Sequence, residues 1–102
     1  MTNNELTIKE NELVGRCLYE AANGEYFPSW EFDTLIGADR AAVRRVASSW
    51  LTDQRISDAE LGVTLSVLNN LLGYPHGREA ELERAIGAQV SEVKSLFARL
   101  DG

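Results

Sequence analysis

The spacing of apolar residues constrains this chain most, because they recur every three or four positions along nearly all of it. The first stripe of this kind consists of Leu13, Val14, Cys17, Leu18, Ala21 and Ala22. It ends at Asn23-Gly24, a typical C-terminal stop for a helix. No segment alternates apolar and polar residues convincingly enough to indicate a strand. The spacing predicts an all-α fold: a single compact domain of about six helices over residues 1–102.

Polar residues mark where several helices begin. Thr7 and Glu10 have the spacing of a capping box, and so do Ser57 and Glu60. Asp39 is placed to cap a third helix. The other expected helices cover residues 30–36, about 78–86, and a final segment that ends near residue 101.

Two of the eight glycines, Gly15 and Gly62, fall inside predicted helices rather than at their ends. A glycine on a helix surface lets a neighbouring helix approach closely. We therefore expect a close helix crossing at each of these two positions.

The two halves of the chain resemble each other at an offset of fifty residues. Ile36-Gly37-Ala38 recurs as Ile86-Gly87-Ala88, and Val43 matches Val93. Gly24 followed by Phe27-Pro28 resembles Gly73 followed by Tyr74-Pro75 if a two-residue gap is allowed. One interpretation is an internal repeat over residues 9–51 and 57–101, with three helices in each half. The other is chance similarity between short helical segments.

Composition argues against several classes of function. Ten Lys and Arg stand against 16 Asp and Glu, for a net charge of −6, which disfavours general nucleic-acid binding and suits a basic partner. One cysteine and one histidine, Cys17 and His76, are too few for a disulfide framework or a zinc site of such residues. No apolar run has transmembrane length and no signal-peptide pattern is present. We expect a cytoplasmic protein that binds no metal, cofactor or small-molecule substrate.

The sequence shows no arrangement typical of catalysis. Cys17 lies in the middle of an apolar stripe, where a thiol is an inert core residue rather than a nucleophile. The glycines occur singly, so no phosphate-binding loop is present. We therefore predict that the chain is not an enzyme.

An aromatic and acidic segment is the strongest sign of a binding surface. Residues 25–33 (Glu-Tyr-Phe-Pro-Ser-Trp-Glu-Phe-Asp) place four of the chain's eight aromatic residues among three carboxylates. Helical spacing turns Phe32 inward and leaves Tyr26 and Trp30 nearer the surface. Aromatic anchors beside acidic groups suit the capture of a basic protein. Alternatively, all four aromatic side chains fill the space between the two halves.

The predicted partner-binding residues extend beyond this segment. They are Glu20, Glu25, Tyr26, Trp30, Glu31, Asp33, Tyr74 and His76. His76 lies in a turn, where it is either an interface residue or a side chain that covers a helix end.

A second candidate function is DNA binding. Residues 35–46 resemble the second and third helices of a helix-turn-helix motif, with Arg40, Arg44 and Arg45 facing the phosphate backbone. Against this, Asp33 stands four residues before the glycine of the turn, where such motifs carry a small residue. The structural alternative is a three-helix corner with a solvated basic face. A third candidate function is a self-associating adaptor.

Two segments carry a resemblance to a known group of proteins. They are residues 27–37 (Phe-Pro-Ser-Trp-Glu-Phe-Asp-Thr-Leu-Ile-Gly) and 68–77 (Leu-Asn-Asn-Leu-Leu-Gly-Tyr-Pro-His-Gly). Here the chain resembles small, uncharacterised bacterial proteins that are often encoded beside polymorphic toxins. The resemblance implies an immunity protein, which binds its cognate toxin stoichiometrically. The strategy is similar to that of the small acidic immunity proteins of nuclease colicins, whose own motif is absent here. The expected partner is a basic toxin domain, with a nuclease as the leading candidate.

Overall fold

The structure is a computed structural model that describes residues 6–52 and 55–101, and these form six α-helices. The helices are α1 (Ile8–Asn23), α2 (Ser29–Ile36), α3 (Arg40–Leu51), α4 (Asp58–Gly73), α5 (Glu79–Ile86) and α6 (Val90–Asp101). The described residues contain no strand and share one hydrophobic core. The prediction of a single all-α domain is confirmed. In the ranges that the structure describes, none of the helices combines the length and the apolar character needed to cross a bilayer.

Both predicted capping boxes form. The Thr7 hydroxyl accepts a hydrogen bond from the Glu10 backbone N–H at 3.1 Å, and the Glu10 carboxylate accepts one from the Thr7 N–H at 2.9 Å. Ser57 and Glu60 make the same reciprocal pair at 3.1 Å each. Asp39 caps α3 by accepting a backbone N–H of its first turn at 2.8 Å. These bonds satisfy amide groups that have no partner inside the helix, so the three helices begin where the sequence predicts.

The two halves have the same helix boundaries at a constant offset of fifty residues. α1 and α4 have 16 residues each, α2 and α5 have eight, and α3 and α6 have twelve. The short helices end at Gly37 and Gly87, both left-handed, with φ of 82° and 71°. The expected two-residue gap at the turns is wrong, because the offset is the same before and after them. Tyr74 is therefore not the equivalent of Phe27, and His76 occupies the position equivalent to Tyr26.

Equivalent residues join the halves in both directions. Arg16 on α1 donates a hydrogen bond to the carbonyl oxygen of Ile86 at 3.4 Å. Ser66 on α4 donates one to the carbonyl oxygen of Ile36 at 2.8 Å. Each half thus satisfies a carbonyl at the end of the other half's short helix, which is the reciprocal pattern of a two-fold interface. Duplication as the origin of this symmetry stays our interpretation.

The packing inside the two halves differs. α1 packs against α3 more extensively than α4 packs against α6. Small residues on α1 and α3 stand where α4 and α6 carry large ones: Gly15, Ala21 and Ala47 against Leu65, Leu71 and Phe97. Helices with small facing side chains approach more closely because their backbones meet fewer atoms.

Only one of the two internal glycines permits a close crossing. A Cβ atom on Gly15 would lie 2.6 Å from Cγ of Leu51, whose side chain covers α1 at this point. At Gly62 a Cβ atom would meet nothing within 4 Å, and the residue is exposed. The expectation is confirmed at Gly15 and wrong at Gly62.

These two positions give a matched pair of substitutions. Gly62→Ala should raise the free energy of unfolding by about 1 kcal/mol, because alanine is the better helix former. Gly15→Ala should lower it by about 1 kcal/mol, because displacement of Leu51 costs more than the helix preference returns. Urea unfolding followed by circular dichroism measures both. Equal stabilisation by the two substitutions would contradict the close contact at Gly15.

Candidate functional site

The turn after α1 (residues 24–28) packs against the turn after α4 (residues 74–78), and we call this contact the turn junction. The rings of Tyr26 and His76 meet edge to face with centroids 5.3 Å apart. Phe27 meets Tyr74 in the same way at 5.5 Å. Edge-to-face pairs of this kind are favourable beyond the area that they bury. The junction therefore joins the halves through Phe27 and three side chains that the sequence marked as candidate contacts, Tyr26, Tyr74 and His76.

Tyr26 is buried, which corrects its predicted place near the surface. It is only 2% exposed, and its hydroxyl donates a hydrogen bond to the Glu20 carboxylate at 3.1 Å. Burial, with a smaller contribution from Glu20, raises the pKa of Tyr26 to about 12. The ring covers Gly24, where a Cβ atom would lie 2.5 Å from it. Helical spacing could not show this, because Tyr26 lies in a turn; the glycine two residues earlier was the available signal.

His76 covers the end of α4, one of its two expected roles. Its Nδ1 accepts a hydrogen bond from the Arg78 backbone N–H at 2.9 Å. Its Nε2 lies 2.9 Å from the carbonyl oxygen of Leu71. Because Nδ1 accepts, the proton of the neutral ring belongs on Nε2, which donates to that carbonyl. Both ring nitrogens are thus engaged inside the fold.

Two further contacts hold the first half against the second. The Tyr74 hydroxyl donates a hydrogen bond to the Glu31 carboxylate at 3.1 Å. Desolvation raises the pKa of Tyr74, and the Glu31 carboxylate raises it further. The Glu25 carboxylate lies 3.7 Å from the Arg78 guanidinium but is largely exposed, so this ion pair contributes little to stability.

Trp30 and Asp33 lie one turn apart on α2, away from the core. Trp30 is 81% exposed, as predicted, and Asp33 is also exposed. Phe32 and Ile36 on the same helix are buried, which confirms their expected inward direction. We call Trp30, Glu31 and Asp33 the Trp30 surface. Of the four aromatic residues in segment 25–33, Trp30 alone is exposed, so neither sequence interpretation of that segment holds for all four.

Arg40 is engaged inside the fold, although it was a candidate phosphate contact. Its guanidinium donates hydrogen bonds of 2.9 to 3.4 Å to four backbone carbonyl oxygens: those of Ala21, Ala22, Gly24 and Phe27. Its central carbon lies 4.3 Å from the ring centre of Phe32. Arg40 therefore closes the C-terminal end of α1 and holds α2 beside it.

An open groove of about 770 Å³ lies beside the turn junction. Arg40, Arg44 and Arg78 line it, with Glu25 as its acidic residue. This groove carries more basic than acidic groups, although the whole chain has a net charge of −6. The sequence carries no signal for it, because Arg78 is brought to the other two arginines only by packing of the two halves.

Neither a cluster of metal ligands nor a reactive cysteine is found among the described residues. Within 6–52 and 55–101, no group of three His, Cys, Asp or Glu side chains is placed to hold a metal ion. Cys17 is buried, and desolvation raises the pKa of its thiol to about 12. A thiol of this kind stays protonated at neutral pH and is a poor nucleophile.

Comparisons with protein-family models, curated proteins and solved structures find no match to this chain.

The role of Arg40 is testable by a conservative substitution. Arg40→Lys should lower the free energy of unfolding by about 2 kcal/mol, because one ammonium group cannot replace several charge-assisted bonds to buried carbonyls. Arg45→Lys, on the exposed part of the same helix, is the matched control and should change it by less than about 0.5 kcal/mol. Chemical denaturation compares them, and an equal effect of the two substitutions would show that the carbonyl contacts are unimportant.

Cys17 should make stability depend on alkaline pH. Above pH 9 the unfolded chain loses the thiol proton, whereas the folded chain keeps it up to about pH 12. The free energy of unfolding should therefore fall by about 1.4 kcal/mol per pH unit in this range from this group alone. Urea titrations at pH 8, 9.5 and 10.5 should show a shallower fall for Cys17→Ala. Identical slopes would contradict the shifted thiol.

Proposed function

We propose that this chain is an immunity protein, which neutralises a cognate bacterial toxin by forming a stoichiometric complex with a basic toxin domain, a nuclease in the leading case. The observation that carries the proposal is the exposure of Trp30 on a helix whose opposite face is in the core. A large aromatic side chain on a rigid support is the residue type that dominates binding energy at protein interfaces.

The fold itself does not require tryptophan at this position. The equivalent residue of the second half is Ala80, which is also exposed at the start of a short helix. The two short helices have the same length and the same left-handed glycine stop. Packing therefore does not explain Trp30, whereas contact with a partner does.

The surroundings of Trp30 favour a basic partner. Asp33 is exposed beside it, and Glu25 in the preceding turn is also exposed. A net charge of −6 attracts a basic domain over a distance and speeds association. A nuclease must be basic where it contacts nucleic acid, so an acidic domain can occupy that surface.

The position of α2 is also fixed in the absence of a partner. Phe32 and Ile36 anchor it in the core, and the Glu31–Tyr74 hydrogen bond ties its first turn to the second half. A surface that is already ordered loses little conformational entropy on binding. This supports binding through α2 without rearrangement of the domain.

A helix-turn-helix regulator is less well supported. Arg40 is taken up by backbone carbonyls, which leaves Arg44 and Arg45 for phosphate contacts. Asp33 is exposed rather than closing a helix corner, and the equivalent Glu83 accepts a hydrogen bond from a backbone N–H at the start of α6, at 2.8 Å. The Asp33 carboxylate would repel DNA near the proposed recognition helix.

A site-specific crosslinking experiment tests the proposal. A photoreactive phenylalanine analogue placed at Trp30 should crosslink one basic protein in lysate of the source cells, at a one-to-one ratio. The same analogue at Ala80 is the matched control and should capture none of that protein. Co-production of the chain with the captured protein should then protect a sensitive host from its toxicity. Equal crosslinking at both positions, or no protection, would refute the proposal.

Trp30→Ala gives a quantitative test with the captured protein. Removal of a central aromatic anchor should weaken binding by about 2 kcal/mol or more, which raises Kd about thirtyfold. Calorimetry or surface plasmon resonance measures Kd, and circular dichroism confirms that the variant folds. A Kd within a factor of three of the wild-type value would remove Trp30 from the interface.

A further inference from the structure

The large apolar side chains that the described residues leave exposed all belong to the first half of the chain. They are Ile8, Tyr19, Trp30 and Leu51, with exposed fractions of 77%, 52%, 81% and 44%. Trp30 lies on α2 and belongs to the Trp30 surface. The other three lie on α1 and α3, and we call Ile8, Tyr19 and Leu51 the α1–α3 face.

The three residues form one strip along the line where α1 and α3 meet. Ile8 and Tyr19 are separated by about three helical turns, so they share one side of α1. Gly15 lies between them, and the Leu51 side chain rests on the α1 backbone at that glycine. Ile8 and Leu51 also line one small cavity of about 180 Å³. Ile8 and Leu51 are therefore adjacent, and Tyr19 continues the same side of α1 one turn beyond Gly15.

The second half provides an internal control for this face. The positions equivalent to Ile8, Tyr19 and Leu51 carry Asp58, Asn69 and Asp101, and all three are exposed. Helices of the same length and order, although less closely packed, thus form with polar side chains at these places. Packing within the monomer explains Leu51, which covers α1 at Gly15, but it does not explain Ile8 or Tyr19. Burial of these apolar side chains against a partner in an assembly explains them.

Charges of opposite sign lie toward opposite ends of the strip. Glu12 lies next to Ile8 on the cavity between α1 and α3, and it is also 3.7 Å from Arg16 of its own helix. Arg44 lies at the far end, where it donates a hydrogen bond to Asn23 at 3.2 Å. Because the whole chain has a net charge of −6, two copies repel each other least where basic groups stand beside the acidic ones.

We propose that the α1–α3 face binds a second copy of this chain, with the two α1 helices antiparallel across a two-fold axis near Gly15. This arrangement pairs Leu51 with Leu51 and brings each Ile8 toward Tyr19 of the other copy. It also directs Glu12 of one copy toward Arg44 of the other, which is the charge complementarity that an isologous interface needs.

The size of the face sets the expected strength of this dimer. The strip from Ile8 to the end of α1 is about 22 Å long and two helices wide, or roughly 400 Å² per copy. This is about half of what a stable interface buries on each partner. The dimer should therefore form only at high micromolar concentration. The proposal is independent of toxin binding, because Trp30 lies outside the α1–α3 face.

Sedimentation equilibrium of the purified chain tests the inference. The weight-average mass should rise from 11.3 kDa toward twice that value as the concentration increases from about 10 µM to 1 mM. Ile8→Asp with Leu51→Asp, the residues that the second half already carries, should keep the mass at that of the monomer. Trp30→Ala is the matched control and should dimerise like the wild type. Circular dichroism confirms that each variant folds.

A charge exchange tests the antiparallel arrangement. Glu12→Arg and Arg44→Glu should each raise the dissociation constant about fivefold or more, and the double exchange should restore it. A monomeric mass up to 1 mM would overturn the proposal and leave this face to a different protein. Dimerisation that persists in the Ile8→Asp, Leu51→Asp variant, or single exchanges without effect, would overturn it equally.

Discussion

The guanidinium of Arg40 holds the end of α1, the following turn and α2 in one arrangement. It supplies donors to carbonyl oxygens that a helix end cannot satisfy by itself, including that of Ala21. It also covers the ring of Phe32, the residue that anchors α2 in the core. Trp30 is one turn of backbone away from these contacts, so its position follows from them. In the second half, Val90 stands at the position of Arg40, and His76 donates instead to the carbonyl of Leu71, the equivalent of Ala21.

The two halves therefore share an architecture but not a surface. Their helices have equal lengths, and the Arg16 and Ser66 contacts are reciprocal. Among the described residues, the large exposed apolar groups nevertheless lie in the first half, and Ala80 stands at the position equivalent to Trp30. The fold tolerates either kind of residue at such positions. A comparison of equivalent positions in the two halves therefore shows which side chains the fold needs for stability. Residues that differ without a packing reason are the ones to examine for binding.

Local sequence signals succeeded where the physics is local. The capping boxes at Thr7 and Ser57, the left-handed glycine stops and the inward direction of Phe32 depend on residues within about four positions of each other. The exposure of Trp30 followed from the same periodicity. Tyr26 and Gly62 were misjudged because their surroundings come from other elements: Tyr26 packs against His76, fifty residues later, and no neighbouring helix approaches Gly62.

Helical periodicity and capping by near neighbours are local, so the amino-acid order is enough to predict the number and type of the helices, their beginnings and the residues that each turns inward. Tertiary packing was needed to show that Arg40 binds backbone carbonyls and that Tyr26 is buried. It also decided the meeting of Arg78 with Arg44 in one groove and the joining of Ile8 and Leu51 into one strip. These outcomes depend on how six helices pack, and packing brings together residues whose separation along the chain carries no signal of their contact.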